Sequence, residues 1–405
     1  MNFAKAAFCR VYQFGFRAAM PLLPYREPEP LGSMLEIPAK LRELGIASAL
    51  VVTDASIRKL GITRPLEQAL TEAGIGCHVY DGTVPNPTVG NVEQALAVYR
   101  AGNCGAIISV GGGTCIDCGK AVGARVAWPG RSVQNLGGNL RIWKKGPPRF
   151  AVPTTAGTGS EATLAAVIVD EKTRHKFVMN DFSLIPDYAV LDPATTVGLP
   201  PFYTATTGMD AMTHAVEAYI GRSTTPQTRA WSIEAVQLIV RNIETAYQNG
   251  QDLEARRNML RAAYLAGMSF TRSYVGYVHA VAHSLGGWYD TPHGLANSVL
   301  LPYVLRAYGK SVYQPLKELA IAIGLADETT RPSVAAERFI RKIEAMNEAL
   351  HIPKKLSGIH AKDIEMLARR ADKEGNPLYP VPRLMDRLEL ERFYVTVAED
   401  LIWED

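Results

Sequence analysis

Two adjacent prolines, Pro200 and Pro201, divide the 405 residues into stretches of different texture. Before them, short β-rich apolar runs alternate with helix-like stretches and glycine turns. Residues 49–53, 105–110, 150–153 and 189–191 predict strands, and residues 88–101 and 117–127 predict helices, the alternation of βαβ units and a mainly parallel sheet. Residues 162–178 predict a strand pair. After the prolines, helical periodicity runs to the C-terminus, clearest over 231–247, 253–270, 334–350 and 388–401. Neither proline can continue a helix or donate to a sheet ladder, so the pair marks a boundary. An α/β domain at 31–200, an all-α domain at 201–405 and an N-terminal arm at 1–30 are expected.

Composition excludes several classes. Hydrophobic residues make up 47% and charged residues 20%, ordinary for a globular chain, and a net charge of +3 gives no reason to expect nucleic acid. Lys144-Lys145, Arg256-Arg257 and Arg369-Arg370 are expected as solvated surface pairs. Five cysteines, an odd number, do not make a secreted disulfide framework, so a reducing, cytoplasmic compartment is expected. No apolar run approaches the roughly 20 residues of a spanning helix, and no integral membrane segment is expected. The N-terminal arm carries Lys5, Arg10, Arg17 and Arg26 among Phe3, Phe8, Tyr12, Phe14 and Phe16, with no acidic residue before Glu27. Such a segment suits a leader or a membrane-surface helix. Its scarcity of serine and its run into Pro21, Pro24, Pro28 and Pro30 favour an ordered helix packed on the body.

The strand ending at Val110 leads into Gly111, Gly112, Gly113 and Thr114, followed by a helix bearing Asp117 and Lys120. Consecutive glycines let a ligand approach the backbone, and the helix N-terminus offers unpaired N–H groups and a positive dipole end, which suits a pyrophosphate. The pattern is neither the spaced-glycine fingerprint nor a Walker turn. Asp54 follows an earlier strand, where a carboxylate accepts from ribose hydroxyls and repels a 2′-phosphate, favouring NAD over NADP; it also suits a helix N-cap. The segment from Pro153 to Glu161, dense in threonine and glycine, wraps a phosphate or nicotinamide or forms a capped loop. Cys115 and Cys118 form a Cys-x-x-Cys without a second pair for zinc. A thiol at a helix N-terminus is expected to have a lowered pKa and to be sensitive to oxidants.

Asp210 and His214 lie four residues apart, as do His279 and His283; the helix bearing the second pair is expected to break at Gly286-Gly287, and His293 to lie in a turn before the next helix. A four-residue helical step returns to one face, so each pair aims two donors at one point. Imidazole and carboxylate suit iron or zinc. Spacing alone does not choose between His279 and His283. Phe270, Tyr274, Tyr277, Trp288 and Tyr289 flank the set and serve core packing or an apolar pocket.

Four motifs carry a family resemblance: Gly111-Gly112-Gly113-Thr114 with Asp117 and Lys120; Pro153 to Glu161; Gly208 with Asp210 and His214; and His279 with His283 continuing to Pro292-His293-Gly294. The chain beyond residue 30 resembles the iron-containing (group III) alcohol dehydrogenases. The resemblance implies a dehydroquinate synthase-like architecture, with 31–200 binding NAD and 201–405 binding metal and carrying catalysis. It implies metal ligands Asp210, His214, His279 and His293, and leaves His283 unligated beside them. It also implies NAD contacts from Asp54, Gly111, Gly112, Gly113, Thr114, Asp117, Thr154, Thr155, Thr158 and Lys176, and Asn86 matches another cofactor-side motif. Thr114 stands where serine is more usual.

The expected reaction interconverts an alcohol, expected to be primary, and the corresponding aldehyde or ketone with NAD(H). A divalent ion, Fe2+ or Zn2+, lowers the pKa of the alcohol, and His283 relays the proton. Rival expectations are a zinc polyol or glycerol-type dehydrogenase, a maleylacetate-type reductase, a dehydroquinate synthase-like lyase or cyclase, and a non-catalytic NAD sensor. The expected partners are a small alcohol or aldehyde and a second copy in a homodimer.

Overall fold

The computed structural model describes residues 1–19 and 23–402, so Pro21 of the arm lies outside the described residues. The chain forms two compact units. One comprises Pro24–Leu199 and Gly250–Gly267, the other Met1–Leu23, Pro200–Asn249 and Met268–Asp405. The arm contributes helix α1 (Phe3–Ala19) to the second unit.

The first unit is α/β. Its strands are β1 (Glu29–Leu31), β2 (Ser48–Val52), β3 (Gly76–Tyr80), β4 (Ala106–Gly111), β5 (Gly138–Asn139), β6 (Arg149–Pro153), β7 (Ala165–Asp170), β8 (His175–Asn180) and β9 (Tyr188–Val190). Its helices are α2 (Ile37–Glu43), α3 (Ala55–Lys59), α4 (Arg64–Glu72), α5 (Val89–Ala101) and α6 (Gly113–Ala127). Six strands form a parallel sheet in the order β1-β9-β6-β4-β2-β3. The sheet is buried on both faces because alternate side chains enter different cores: Ala49, Val51 and Ile108 pack with Leu66 and Phe150, while Leu50, Val52 and Ile107 pack with Leu96 and Val122. The expected strand pair over 162–178 is the antiparallel β7–β8 hairpin. Chain order reverses between β2 and β4, and at such a switch point the C-terminal strand ends open onto a ligand crevice.

Residues 250–267 join this unit through backbone contact. Gly159 has φ +60, and a Cβ there would lie 2.7 Å from Gly267 Cα and 2.8 Å from Ala263 O, so two glycines let the loop touch the helix directly. Arg256, expected on the surface, is instead buried: Nε donates to Gly250 O at 3.0 Å and Nη2 to Leu199 O at 3.3 Å, so loop carbonyls take the place of water. Arg257, Lys144, Lys145, Arg369 and Arg370 are exposed, as expected.

The second unit is helical: α7 (Pro201–Ile220), α8 (Pro226–Gln248), α9 (Leu253–Ser273, begun in the first unit), α10 (Tyr277–Tyr289), α11 (His293–Tyr308), α12 (Tyr313–Ala322), α13 (Pro332–Ala349), α14 (Ile364–Gly375) and α15 (Arg387–Val397). Proline enters the first turn of α7 and α8, where its missing N–H costs nothing, and Thr225 starts α8 with a capping box. Two boundaries differ from expectation. Helix α10 continues through Gly286-Gly287 and stops at Asp290, whose φ is 54°, because buried Ser284 and Leu285 before the pair and the hydrogen bonds of Trp288 and Tyr289 to Asp363 after it outweigh the weak propensity of glycine. Helix α15 ends at Val397 because Ala398 and Ile402 make bridges to Leu356 and His360. No helix among the described residues is long and apolar enough to cross a membrane.

Candidate functional site

Helix α7 carries Asp210, His214 and Glu217 at steps of four and three, along one buried face. His279 and His283 follow one another on α10, and His293 opens α11 rather than lying in the turn before it. One ligand atom from each of Asp210, His214, His279 and His293 lies within 4.8 Å of every other. His279 Nε2 and His293 Nε2 stand 3.8 and 3.5 Å from Asp210 Oδ1. Two ligands of a tetrahedral ion held at about 2.1 Å are about 3.4 Å apart, so the spacing suits a small divalent ion.

The surroundings set the protonation of these groups. His279 Nδ1 lies 2.6 Å from Glu217 Oε2, and Glu217 also accepts from Gly276 N and Val278 N at 2.8 Å each. With Nδ1–H committed to that carboxylate, the lone pair of His279 is on Nε2, which is buried and has no hydrogen-bond partner. Burial first, and then the neighbouring imidazoles, hold the His279 pKa well below its usual value, so the ring is neutral. Burial pushes the Glu217 carboxyl up to about 7, against the pull of its backbone N–H donors. His214 is stacked between Phe270 at 4.3 Å and His279 at 4.5 Å. Asn297 Nδ2 donates to Asp210 Oδ1 at 2.7 Å and lies 3.1 Å from His293 Nε2. A buried carboxylate, inward-facing lone pairs and outer partners for the imidazole form a donor set that fits a divalent cation.

His283 stands outside this cluster. Its ring stacks on His293 with centroids 5.1 Å apart, and Nδ1 lies 2.6 Å from Glu374 Oε1. Burial alone would raise the Glu374 pKa, but His283 and the Tyr379 hydroxyl hold it below the usual carboxylate range. The flanking aromatics are mainly engaged in packing and hydrogen bonds: Tyr277 OH donates to Asn376 Oδ1, and Trp288 and Tyr289 both donate to Asp363 Oδ2.

In the α/β unit, the C-terminal ends of adjacent strands β2, β4 and β6 lead into Asp54, into Gly111 to Thr114 and into Thr154. Gly111 has φ +155, and a Cβ there would meet Cys115 Sγ at 2.5 Å. Gly112 is the N-cap of α6, whose first N–H groups have no i−4 acceptors within the helix. A Cβ on Gly112 or Gly113 would contact Thr155 or Thr158, so the turn and the threonine loop face each other. Asp54 caps α3, accepting from Ile57 N at 2.9 Å, and its other oxygen lies 3.6 Å from Cys115 Sγ. Asn86, at φ 56, accepts from Lys176 Nζ at 2.8 Å. Both oxygens of Asp117 accept from this chain, one from Ser160 Oγ and one from Val167 N. Lys120 is buried, donating to Ser160, Thr163 and Ala165, and burial lowers its pKa to about 8.

The expected lowered thiol pKa is not found. Cys115 and Cys118 are buried, and desolvation pushes Cys118 up to about 12 and Cys115 higher, outweighing the helix dipole. Sequence reasoning also assigned no role to Glu217, Asn297, Glu374 or Tyr379. Glu217 is three residues beyond His214 and Asn297 four beyond His293, so helical spacing could have found them; nothing in the sequence ties Glu374 to His283.

Residues 30–193 match the family described as iron-containing alcohol dehydrogenase, and residues 204–396 match the C-terminal part of the Fe-containing alcohol dehydrogenase family. The 1,3-propanediol dehydrogenase of Klebsiella pneumoniae is 42% identical over 339 residues, covering 82% of this chain and 87% of the relative. A solved 1,3-propanediol oxidoreductase superposes with a TM-score of 0.88 at 37% identity, covering 93% of this chain and 99% of that one. The sulfoacetaldehyde reductase of Bifidobacterium kashiwanohense, solved in complex with NAD+, gives 0.83 at 25% identity, covering 93% and 99%. With both of its parts matched, the chain belongs to the iron-containing alcohol dehydrogenase family.

Proposed function

We infer that the protein interconverts a small alcohol, primary by preference, and the corresponding aldehyde or ketone by hydride transfer with NAD(H), using a divalent ion, Fe2+ or Zn2+. The observation that carries this is the convergence of Asp210, His214, His279 and His293, with the His279 lone pair turned inward. These four residues would hold the ion. When bound, the ion supplies Lewis acidity, lowering the pKa of an alcohol or polarising a carbonyl, and the nicotinamide accepts or returns the hydride. Asp210 contributes the negative charge of the set, and Glu217 fixes the tautomer of His279. His283 takes the hydroxyl proton to solvent or returns it.

On the cofactor side, the turn Gly111, Gly112, Gly113 and Thr114, which includes the first N–H groups of α6, would hold the pyrophosphate. Asp54 accepts from the ribose hydroxyls, and Asn86, Asp117, Thr154, Thr155, Thr158 and Lys176 complete the cofactor side. The domain roles expected from sequence belong to this proposal, with 31–200 for NAD, joined by 250–267, and 201–405 for metal and catalysis. So do the homodimer, which rests on the family resemblance, and a cytoplasmic location, which the five unpaired cysteines support. Light scattering tests the dimer.

Two substitutions probe these roles. Asp54→Asn keeps the helix cap, since asparagine also accepts from Ile57 N, but removes the charge facing a 2′-phosphate. The preference for NAD over NADP is expected to fall on the order of tenfold, about 1.4 kcal/mol, in kcat/KM with each cofactor. Glu217→Gln is expected to weaken metal binding about 10- to 100-fold in a competition titration with a chelator. Unchanged affinity would remove Glu217 from the account.

The reaction itself is tested by net NADH formation from primary alcohols and diols, including the 1,3-propanediol of the relatives' names, by protein purified anaerobically. Accumulating NADH also separates a dehydrogenase from a lyase in which hydride transfer is transient. No turnover with either cofactor on alcohols, diols or aldehydes would overturn the assignment.

A further inference from the structure

Glu374 Oε1 is an acceptor shared between two elements. His283 Nδ1 reaches it from α10, and Tyr379 OH donates to it from the loop after α14, each at 2.6 Å. That loop contains Pro377, Pro380 and Pro382, residues that have no N–H, so its carbonyls are the groups left to grip. Helix α1 grips them. Gln13 Nε2 donates to Pro377 O at 3.1 Å and Tyr379 O at 2.7 Å; Arg10 donates to Val381 O at 2.8 Å and Pro382 O at 3.1 Å. Arg10 also donates to Gln13 Oε1 at 2.7 Å, which orients the buried amide. Phe16 packs edge-on against Tyr274 at 5.0 Å, and Tyr274 lies 6.3 Å from the Tyr379 ring. The start of the helix is tied down by the Met1 ammonium on Asp386 and by Lys5 on Asp372 at 2.6 Å.

We propose that Glu374 is the positioning residue of His283, and that helix α1 shares in this by fixing, through Gln13 and Arg10, the loop that brings Tyr379 to Glu374. The proposal rests on His283 being the proton relay of the reaction above. With Nδ1–H held by the carboxylate, the basic lone pair of the imidazole is on Nε2, and the ring has one orientation instead of several. Tyr379 does the same for Glu374, filling a second lone pair so that the carboxylate does not turn toward water. The N-terminal arm is therefore part of the catalytic half of the molecule.

The test uses full-length, metal-loaded protein. Glu374→Ala is expected to lower kcat about 10- to 100-fold with the KM for NAD and the bound metal unchanged. Glu374→Gln, which still presents an acceptor to Nδ1, is expected to recover most of that loss, a recovery that a purely packing role would not give. The double variant Glu374→Ala with His283→Ala should be no slower than His283→Ala alone, because one residue acts through the other. Arg10→Ala with Gln13→Ala should lower kcat about threefold or more at a temperature where the native circular dichroism persists, with metal content unchanged. A slow His283→Ala beside a fully active Glu374→Ala would overturn the proposal alone, as would losses that multiply in the double variant. Full activity in the Arg10 and Gln13 double variant would overturn the part given to α1. Full activity in His283→Ala would overturn the relay on which the proposal rests.

Discussion

His279→Ala is expected to leave the protein folded but unable to retain its ion, with turnover lowered roughly a thousandfold or more. His279 is the imidazole whose inward lone pair is most fully specified: Nδ1 is committed to Glu217, and Nε2 is buried without a hydrogen-bond partner. Removing the ring withdraws one ligand from a four-residue set, and it also takes the side-chain donor from a buried carboxylate that keeps its backbone N–H donors, Gly276 N and Val278 N among them. The loss of that donor is expected to cost about 1–3 kcal/mol of stability as well. Metal content per chain, measured beside kcat and the unfolding midpoint, checks all three effects. A variant that keeps full metal and full turnover would remove His279 from the site.

The second large effect is expected at Gly159, where Gly159→Ala should lower stability by about 3 kcal/mol or more and weaken NAD binding with it. Two costs add. A residue with a side chain is strained at φ +60, and the new Cβ would lie within 2.8 Å of backbone atoms of α9, which cannot rotate aside as a side chain can. The loop would have to lift from Gly267, carrying Thr158 away from Gly113. Denaturant unfolding followed by circular dichroism, with NAD affinity measured by titration, checks the two consequences separately. An unchanged midpoint would mean that the backbone contact yields without cost.

The central strands were legible because burial on both faces makes them continuous apolar runs, as in Ala49 to Val52 and Ala106 to Val110. Edge elements were not. β1 is Glu-Pro-Leu, three residues with a proline, and only its pairing with β9 makes it a strand. β3 is mostly half-buried and lacks the apolar run that marked its neighbours. Arg256 read as surface because a charge is placed indoors only when its partners are known, and those partners, the carbonyls of Leu199 and Gly250, come from fold rather than pattern. Helix α10 outran its two glycines for the same reason, since tertiary packing overrides propensity.

The candidate site divides along a similar line. Helical spacing brought Asp210 to His214 and His279 to His283, but it treated both histidines of the second pair alike. What separates them in the structure is the partner of each Nδ1: buried Glu217 for His279, and Glu374, ninety-one residues away in sequence, for His283. The first partner lies on the same helix as Asp210 and His214, and so was within reach of a pattern argument. The second depends on how α10 and α14 pack.

The central claim, that this histidine and aspartate cluster holds an ion required for hydride transfer, is tested most directly by removing the ion and adding it back. Protein stripped with a chelator under anaerobic conditions is titrated with Fe2+ while NADH formation from a primary alcohol or diol is followed. The account predicts no turnover without the ion and a linear recovery that saturates at about one ion per chain. Full turnover by the stripped protein would contradict it.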